Sequence, residues 1–314
     1  MTFRERTISH IGAFPSPVPL EWKIESEKKF DGYTGQVISY NIEENERVRS
    51  ILLTPETSEK KNPAILAIHQ HNGEYHLGKA EPAGWDINGK LKNLNPMYAY
   101  GRDLVKRGYI VICPDLLCFE ERCDSHFINT QNPGSDHEIF EFTKRVQYGS
   151  SLLAKYLHDM TAAVNVLCEQ ENVDTSRLGV AGHSLGGQTS LYMTWYDQRL
   201  KAGVSSCGFG TLATIIRDKI NHNKAMYIPG YSTYADTYDI LCDIAPRAFA
   251  FTAGTDDLIF PIDGVREIAK KAEKIYTELG IPDKLLTCIF KGGHSFNNSE
   301  KEKVYKFLEK ELMM

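Results

Sequence analysis

The chain has 314 residues, 42% of them apolar and 25% charged, with a formal charge of −5 at pH 7, which is length enough to bury one large core, and a single domain over residues 1–314 is expected. Lysines and arginines are scattered among acids with no basic stripe, so a nucleic-acid partner is not expected. The N-terminus MTFRERTISHIGAFPSPVP is charged from its start and lacks a secretory apolar core, and no stretch approaches the ~20 apolar residues that cross a bilayer, so no membrane partner is expected either.

In chain order, TGQVISYNIEENERVRSILLTP shows two alternating runs about the polar turn 43–46, which predicts an antiparallel hairpin. The polar stretch 56–62 leads into AILAIHQ, a continuous apolar run expected of a buried third strand. A helix is predicted over 97–107, ended by Gly108 before a strand at 109–113. A long helix at 150–171 gathers Leu152, Leu153, Tyr156, Met160, Val164 and Leu167 on one face. Strands follow at 178–181, 202–206, 247–253 and 284–290, with helices at 265–279 and 299–312. This alternation predicts an α/β fold with a mostly parallel eight-stranded sheet and helices on both faces. Residues 118–148 and 208–239 break the alternation. Both are polar, aromatic-rich and follow strands at the expected C-terminal edge, so they read as active-site insertions.

The most informative motif is GHSLGG, residues 182–187, delivered by the run 178–181 and followed by helix-forming residues. A strand passing into a helix through one residue forces that residue into a strained turn, with glycines letting neighbouring backbones pass. Ser184 thus reads as a nucleophile on an elbow. The chemistry also needs an acid and then a base later in the chain. RAFAFTAGTDDLIFP offers Asp256 and Asp257, and LLTCIFKGGHSF offers His294. The amide of Leu185, the residue after the nucleophile, is one expected oxyanion donor.

The segments HQHNG (69–73), PDLLCFEER (114–122), VDTSRLGVAGHSLGG (173–187), YIPGY (227–231), IAPRAF (244–249), GTDDLIFP (254–261) and GGHSF (292–296) together resemble the α/β-hydrolases. Within them, the chain is similar to the dienelactone hydrolase and acetyl xylan esterase-like carboxylesterases. The resemblance implies an α/β-hydrolase fold and a Ser-His-Asp triad that cleaves carboxylic esters through an acyl-enzyme without a cofactor. Its Gly, two residues, Asp, three residues, Pro pattern fits Gly254, Asp257 and Pro261, which selects Asp257 over Asp256. Position against HG-type motifs gives the His71 amide as the second oxyanion donor. Dienelactone hydrolases proper use a cysteine where this chain has Ser184, so their lactone substrate does not transfer, and HQHNG departs from the HGGG form of many esterases.

Two other classes compete. His69 and His71 form an HxH pair that could begin a metal site, with His76, His126 or His137 as further ligands. A hydrolase fold kept only as a binding module is the third reading, and it would be supported by loss of a triad residue type. All three types are present. The expected partner is a small-molecule ester. Phe119, Phe127, Tyr148, Phe209, Tyr227, Tyr231, Tyr234 and Tyr238 are expected to crowd over Ser184 and shorten the acyl pocket, which favours acetyl esters of a polar alcohol such as a carbohydrate. Glu120, Glu121 and Arg122 could line the pocket or form a structural ion pair, and the structural ion pair is the favoured reading. Among the seven cysteines, Cys113, Cys168, Cys207 and Cys288 lie in or beside apolar runs without paired spacing, so free thiols and a cytoplasmic location are expected.

Overall fold

The computed structural model describes residues 1–56, 61–71, 73, 75–88 and 94–313. Residues 57–60 of the polar stretch before the third expected strand, and Asn72 of HQHNG, lie outside the described residues. The strands are β1 (Lys23–Phe30), β2 (Tyr33–Glu43), β3 (Glu46–Pro55), β4 (Asn62–Ile68), β5 (Ile110–Pro114), β6 (Val173–His183), β7 (Leu200–Ser206), β8 (Ala248–Gly254) and β9 (Leu285–Phe290). The helices are α1 (Phe3–Ile11), α2 (Ala80–Ala83), α3 (Tyr100–Val105), α4 (Pro133–Gln147), α5 (Leu152–Cys168), α6 (Leu185–Tyr196), α7 (Leu212–Arg217), α8 (Thr237–Ile244), α9 (Ile262–Glu278) and α10 (Asn298–Leu312).

One sheet runs in the order β1-β2-β3-β5-β4-β6-β7-β8-β9. Strands β1 to β3 and the β3–β5 pair are antiparallel, and the pairs from β5 through β4 to β9 are parallel. The expected hairpin is β2–β3, with Glu43 opposite Glu46. The sheet has nine strands where the sequence predicts eight. The addition is β1, KIESEKKF, whose residues are exposed along nearly its whole length. Such a strand buries too little apolar surface to leave an alternating signature, and its charges suit an open sheet edge. The helix expected at 97–107 is divided into a 3-10 turn, Pro96–Tyr98, and α3.

Successive side chains on the central strands feed opposite cores. Ala64, Leu66 and Ile68 of β4 join the cluster beneath α5, α6, α8 and α9, while Ile65 and Ala67 join the one beneath α3 and α10. Parallel strands covered on both faces must be apolar throughout, which is why β4 is buried at every position. Segment 118–148 contains α4, although its sequence shows no clear period. Glu138 and Glu141 of that helix are buried, while Ile139 and Phe140 are about half exposed, so apolar side chains do not mark its inner face.

The root of that segment is held by charges. Arg122 pairs with Glu46 and Asp159, each at 2.7 Å. The buried Lys79 ammonium pairs with Asp115 at 2.6 Å, Glu120 at 2.8 Å and Glu121 at 3.0 Å. Glu120, Glu121 and Arg122 thus form ion pairs with residues outside the trio rather than with one another, and Glu120 also lines a cavity.

Candidate active site

Ser184 lies between β6 and α6 with φ +54° and ψ −119°, a conformation that costs a non-glycine residue on the order of 1–3 kcal/mol and persists only where its surroundings impose it. Those surroundings are backbone. A Cβ on Gly182 would lie 2.2 Å from Gly186, and one on Gly186 would lie 2.0 Å from the Ile68 carbonyl oxygen. Ser184 N–H also donates to Ser206 O at 2.8 Å. The turn therefore fixes where the hydroxyl stands, and Ser184 lines a cavity of about 370 Å³ that His294 also lines. Leu185 begins α6, and the first amides of a helix have no intrahelical acceptor, so its N–H is free to serve a ligand.

His294 is carried by the loop after β9, and its Nδ1 lies 2.8 Å from Asp257 Oδ2. Asp257 is buried in the turn after β8, where its Oδ1 accepts Ile259 N–H at 2.9 Å and Phe260 N–H at 3.2 Å. Asp256 is exposed and accepts only a local hydrogen bond, from Thr255 Oγ1 at 3.1 Å. The two loops can approach because residue 254 is glycine: a Cβ there would sit 2.3 Å from Gly293 O. Ser184 and His294 line the same cavity without a hydrogen bond between Oγ and the ring, and catalytic hydrogen bonds of this kind often tighten only in the Michaelis complex.

Two further imidazoles flank His294. His183 packs against it at 4.8 Å between ring centroids, and burial, then the charge of His294, keeps its pKa well below the usual histidine value. His222 also lines the cavity, and burial, then the charge of His294, pushes its pKa down to about 4. Both rings are neutral near pH 7 and neither competes as a base of matched strength. Cys207 lies beside Asp257 and His294, and burial, then the Asp257 charge, raises its thiol to about 11. It is therefore a protonated thiol near neutrality.

Among the described residues, His69 and His71 are not grouped with further side chains close enough to share one ion. His69 is buried, its Nε2 accepts Leu116 N–H at 2.9 Å and its Nδ1 lies 2.8 Å from Gln70 O, so both ring nitrogens are used. Burial chiefly lowers its pKa to about 4. His137 Nδ1 accepts Asp124 N–H at 3.2 Å. Among the described residues, the group close enough to share one ion is Cys207, Asp257 and His294. In that group the thiol would have to lose its proton first.

His71 follows β4 and lines the Ser184 cavity. The aromatic cover expected there is different. Phe119, Phe209 and Tyr231 are buried in the core, Tyr148 is 80% exposed, and Tyr227 lines a separate groove. None of the eight expected rings lines the Ser184 cavity; Tyr75, Glu138, Asn223, Lys224 and Ile259 do. Large rings gain more by filling the core beneath the segments than by facing water. The sequence carries no periodic or motif signal for Tyr75, Glu138 or His222, because each reaches the cavity through the folding of an irregular segment.

The profile of the dienelactone hydrolase family matches residues 86–312. "Putative hydrolase YtaP" of Bacillus subtilis (strain 168) is 22% identical over 311 residues, 98% of each chain. The structure of a "putative acetyl xylan esterase" from Bacteroides fragilis NCTC 9343 superposes with a TM-score of 0.74 at 20% identity, over 96% of this chain and 80% of that one. A glucuronoyl esterase from Solibacter usitatus superposes with a TM-score of 0.72 at 16% identity, over 98% of this chain and 92% of that one. At these identities the superpositions establish an α/β-hydrolase fold.

Proposed function

This chain belongs to the dienelactone hydrolase family and is a carboxylesterase-type hydrolase, and from that premise we propose that it cleaves short-acyl esters through Ser184, His294 and Asp257. One observation carries the reading: a hydroxyl on a strained elbow shares a cavity with an imidazole whose far nitrogen is bonded to a buried carboxylate. Asp257 holds the His294 proton on Nδ1, leaving Nε2 to accept the Ser184 proton as Oγ attacks the ester carbonyl. The Leu185 and His71 amides bind the carbonyl oxygen as it gains charge. Collapse of the tetrahedral adduct breaks the ester C–O bond, and His294 returns the proton to the departing alcohol. Water, deprotonated by His294, then releases the acid and restores Ser184. In this reading His69 packs and hydrogen bonds in the core, and the steps above use no cofactor.

For the substrate, the cavity favours small acyl groups. Its wall carries Ser135, Glu138, Asn221, Asn223 and Lys224, which would leave a long acyl chain against polar groups it cannot satisfy. A second cavity of about 700 Å³ shares His71, Gly73, Tyr75 and Ser135 with the first and gives room for a large polar alcohol. The names of the acetyl xylan and glucuronoyl esterases point the same way, toward esters of carbohydrates. A cytoplasmic site of action is supported by the seven cysteines, all free thiols. No helix among the described residues is long and apolar enough to cross a membrane.

The test is labelling by a fluorophosphonate, with the modified residue identified by mass spectrometry, followed by kcat/KM across p-nitrophenyl acetate, butyrate and octanoate and a panel of acetylated sugars. Labelling at Ser184 and a fall of roughly 10-fold or more for each two to four added methylenes are expected. A maximum at octanoate, or labelling elsewhere, refutes the reading. Zinc-restored activity after chelation would revive the HxH pair.

A further inference from the structure

One buried carboxylate, Glu138, lines the same cavity as Ser184 and takes no part in the chemistry just described. Glu138 sits in α4 with its side chain 3% exposed. Its Oε1 accepts Lys224 N–H at 2.9 Å, its Oε2 accepts the Tyr75 hydroxyl proton at 3.1 Å, and the His71 Nε2 lies 3.5 Å from the same oxygen. Three segments distant in sequence therefore meet on one carboxylate: the loop after β4, residues 118–148 and residues 208–239. Burial raises the pKa of this carboxyl, yet the His71 ring contact first, then the Lys224 and Tyr75 hydrogen bonds, outweigh it and hold it below the usual value.

The proton positions follow from counting donors. Gly73 N–H donates to His71 Nδ1 at 3.1 Å, so the neutral ring carries its proton on Nε2, which donates to Tyr75 Oη at 2.9 Å. The Tyr75 proton then goes to Glu138. Each donor in the chain has an acceptor, as a buried polar network requires. The surroundings are shaped for this arrangement. The Tyr75 ring stacks on Phe119 at 4.9 Å and 20°, and residue 134 must be glycine, since a Cβ there would lie 1.7 Å from Tyr75 Cγ.

Resting on the serine-esterase reading, we infer that Glu138 is a positioning residue for the oxyanion side of the site: through Tyr75 and the His71 ring it fixes the His71 peptide N–H against the ester carbonyl. Both irregular segments thereby contribute to turnover as well as to the shape of the pocket. A misplacement of about 1 Å in such a donor can cost on the order of 100-fold, and loss of one donor costs about 10²–10³ in kcat.

The experiment uses Glu138→Gln, Tyr75→Phe and the double variant in the full-length protein, with Glu141→Gln as a control. Glu141 is a second buried carboxylate on α4, and it pairs with Lys144 and Arg145. For p-nitrophenyl acetate, kcat falls on the order of 10-fold or more in each single variant, KM changes less than about 3-fold, and the double variant is no worse than the poorer single one. Affinity for a phenylboronic acid, whose adduct places an oxygen in the oxyanion position, falls by the same factor as kcat. The Glu141→Gln control keeps kcat. Unchanged kcat in Glu138→Gln, or a boronate affinity that stays constant while kcat falls, overturns the inference. If hydrolysis survives Ser184→Ala, the esterase reading fails first and this inference falls with it. If hydrolysis depends on Ser184 but not on Glu138, only this inference fails.

Discussion

Ser184, Asp257 and His294 stand on turns whose shape is set by neighbouring main chain, whereas His71, Tyr75 and Glu138 across the cavity are held by side-chain hydrogen bonds between residues up to 67 positions apart. In the first wall the decisive contacts are the close approaches at Gly182, Gly186 and Gly254. In the second, a carboxylate on α4 gathers the loop after β4 and the segment around Lys224 by side-chain hydrogen bonds. Backbone-built geometry should tolerate loss of a side-chain oxygen without moving, so such a change reads out chemistry alone. Geometry built from side chains should couple chemistry to the way distant segments are anchored.

The sharpest break of this contrast is Ser184→Ala. It removes one oxygen from a turn that its glycines and the Ser206 carbonyl still define, so kcat should fall on the order of 10⁴–10⁶ with little change in melting temperature. A folded variant with a tenth of normal turnover would remove Ser184 from the mechanism. Next comes the acid pair. Asp257→Asn should lower kcat by roughly 10⁴, because an amide opposite Nδ1 stabilises the wrong histidine tautomer, while Asp256→Asn should cost less than about 10-fold. The opposite ranking, measured on the same ester, would reassign the acid.

The smallest effect concerns the anchor of the second wall. Burial would raise the Glu46 carboxyl, but Arg122 and then Lys155 outweigh it and hold it at about 2, against an ordinary value of 4.5. A folded-state pKa below the unfolded one contributes stability that is present above about 4.5 and lost as pH falls toward 2. Glu46→Gln should therefore cost ~1–2 kcal/mol at pH 7, discounted for the partial exposure of Glu46, with the gap to the unaltered protein clearly narrowed by about pH 3 and closing only toward about pH 2. Urea melts at about pH 7 and about pH 3 check it. An equal gap at both would mean that the Glu46 charge does not hold the root of residues 118–148.

The amino-acid sequence by itself determined what depends on neighbours along the chain. GHSLGG marks a strand-to-helix elbow because its glycines are where backbones must touch, and the inner strands β4, β5, β7 and β8 are legible because a strand covered on both faces must be apolar. It also delivered Ser184, Asp257 and His294 as candidates, since each follows a strand. Only the tertiary structure decided that β1 joins the sheet, because its charged residues look the same whether an edge strand pairs or not. The spacing of the resembled family singles out Asp257 over Asp256, and the folded chain turns that side chain inward to lie 2.8 Å from His294. The tertiary structure likewise kept the expected rings away from the cavity, with Phe119, Phe209 and Tyr231 in the core, and placed Tyr75, Glu138 and His222 there. Those positions follow from hydrogen bonds and close packing between segments far apart in the chain, which leave no local period or motif to be read.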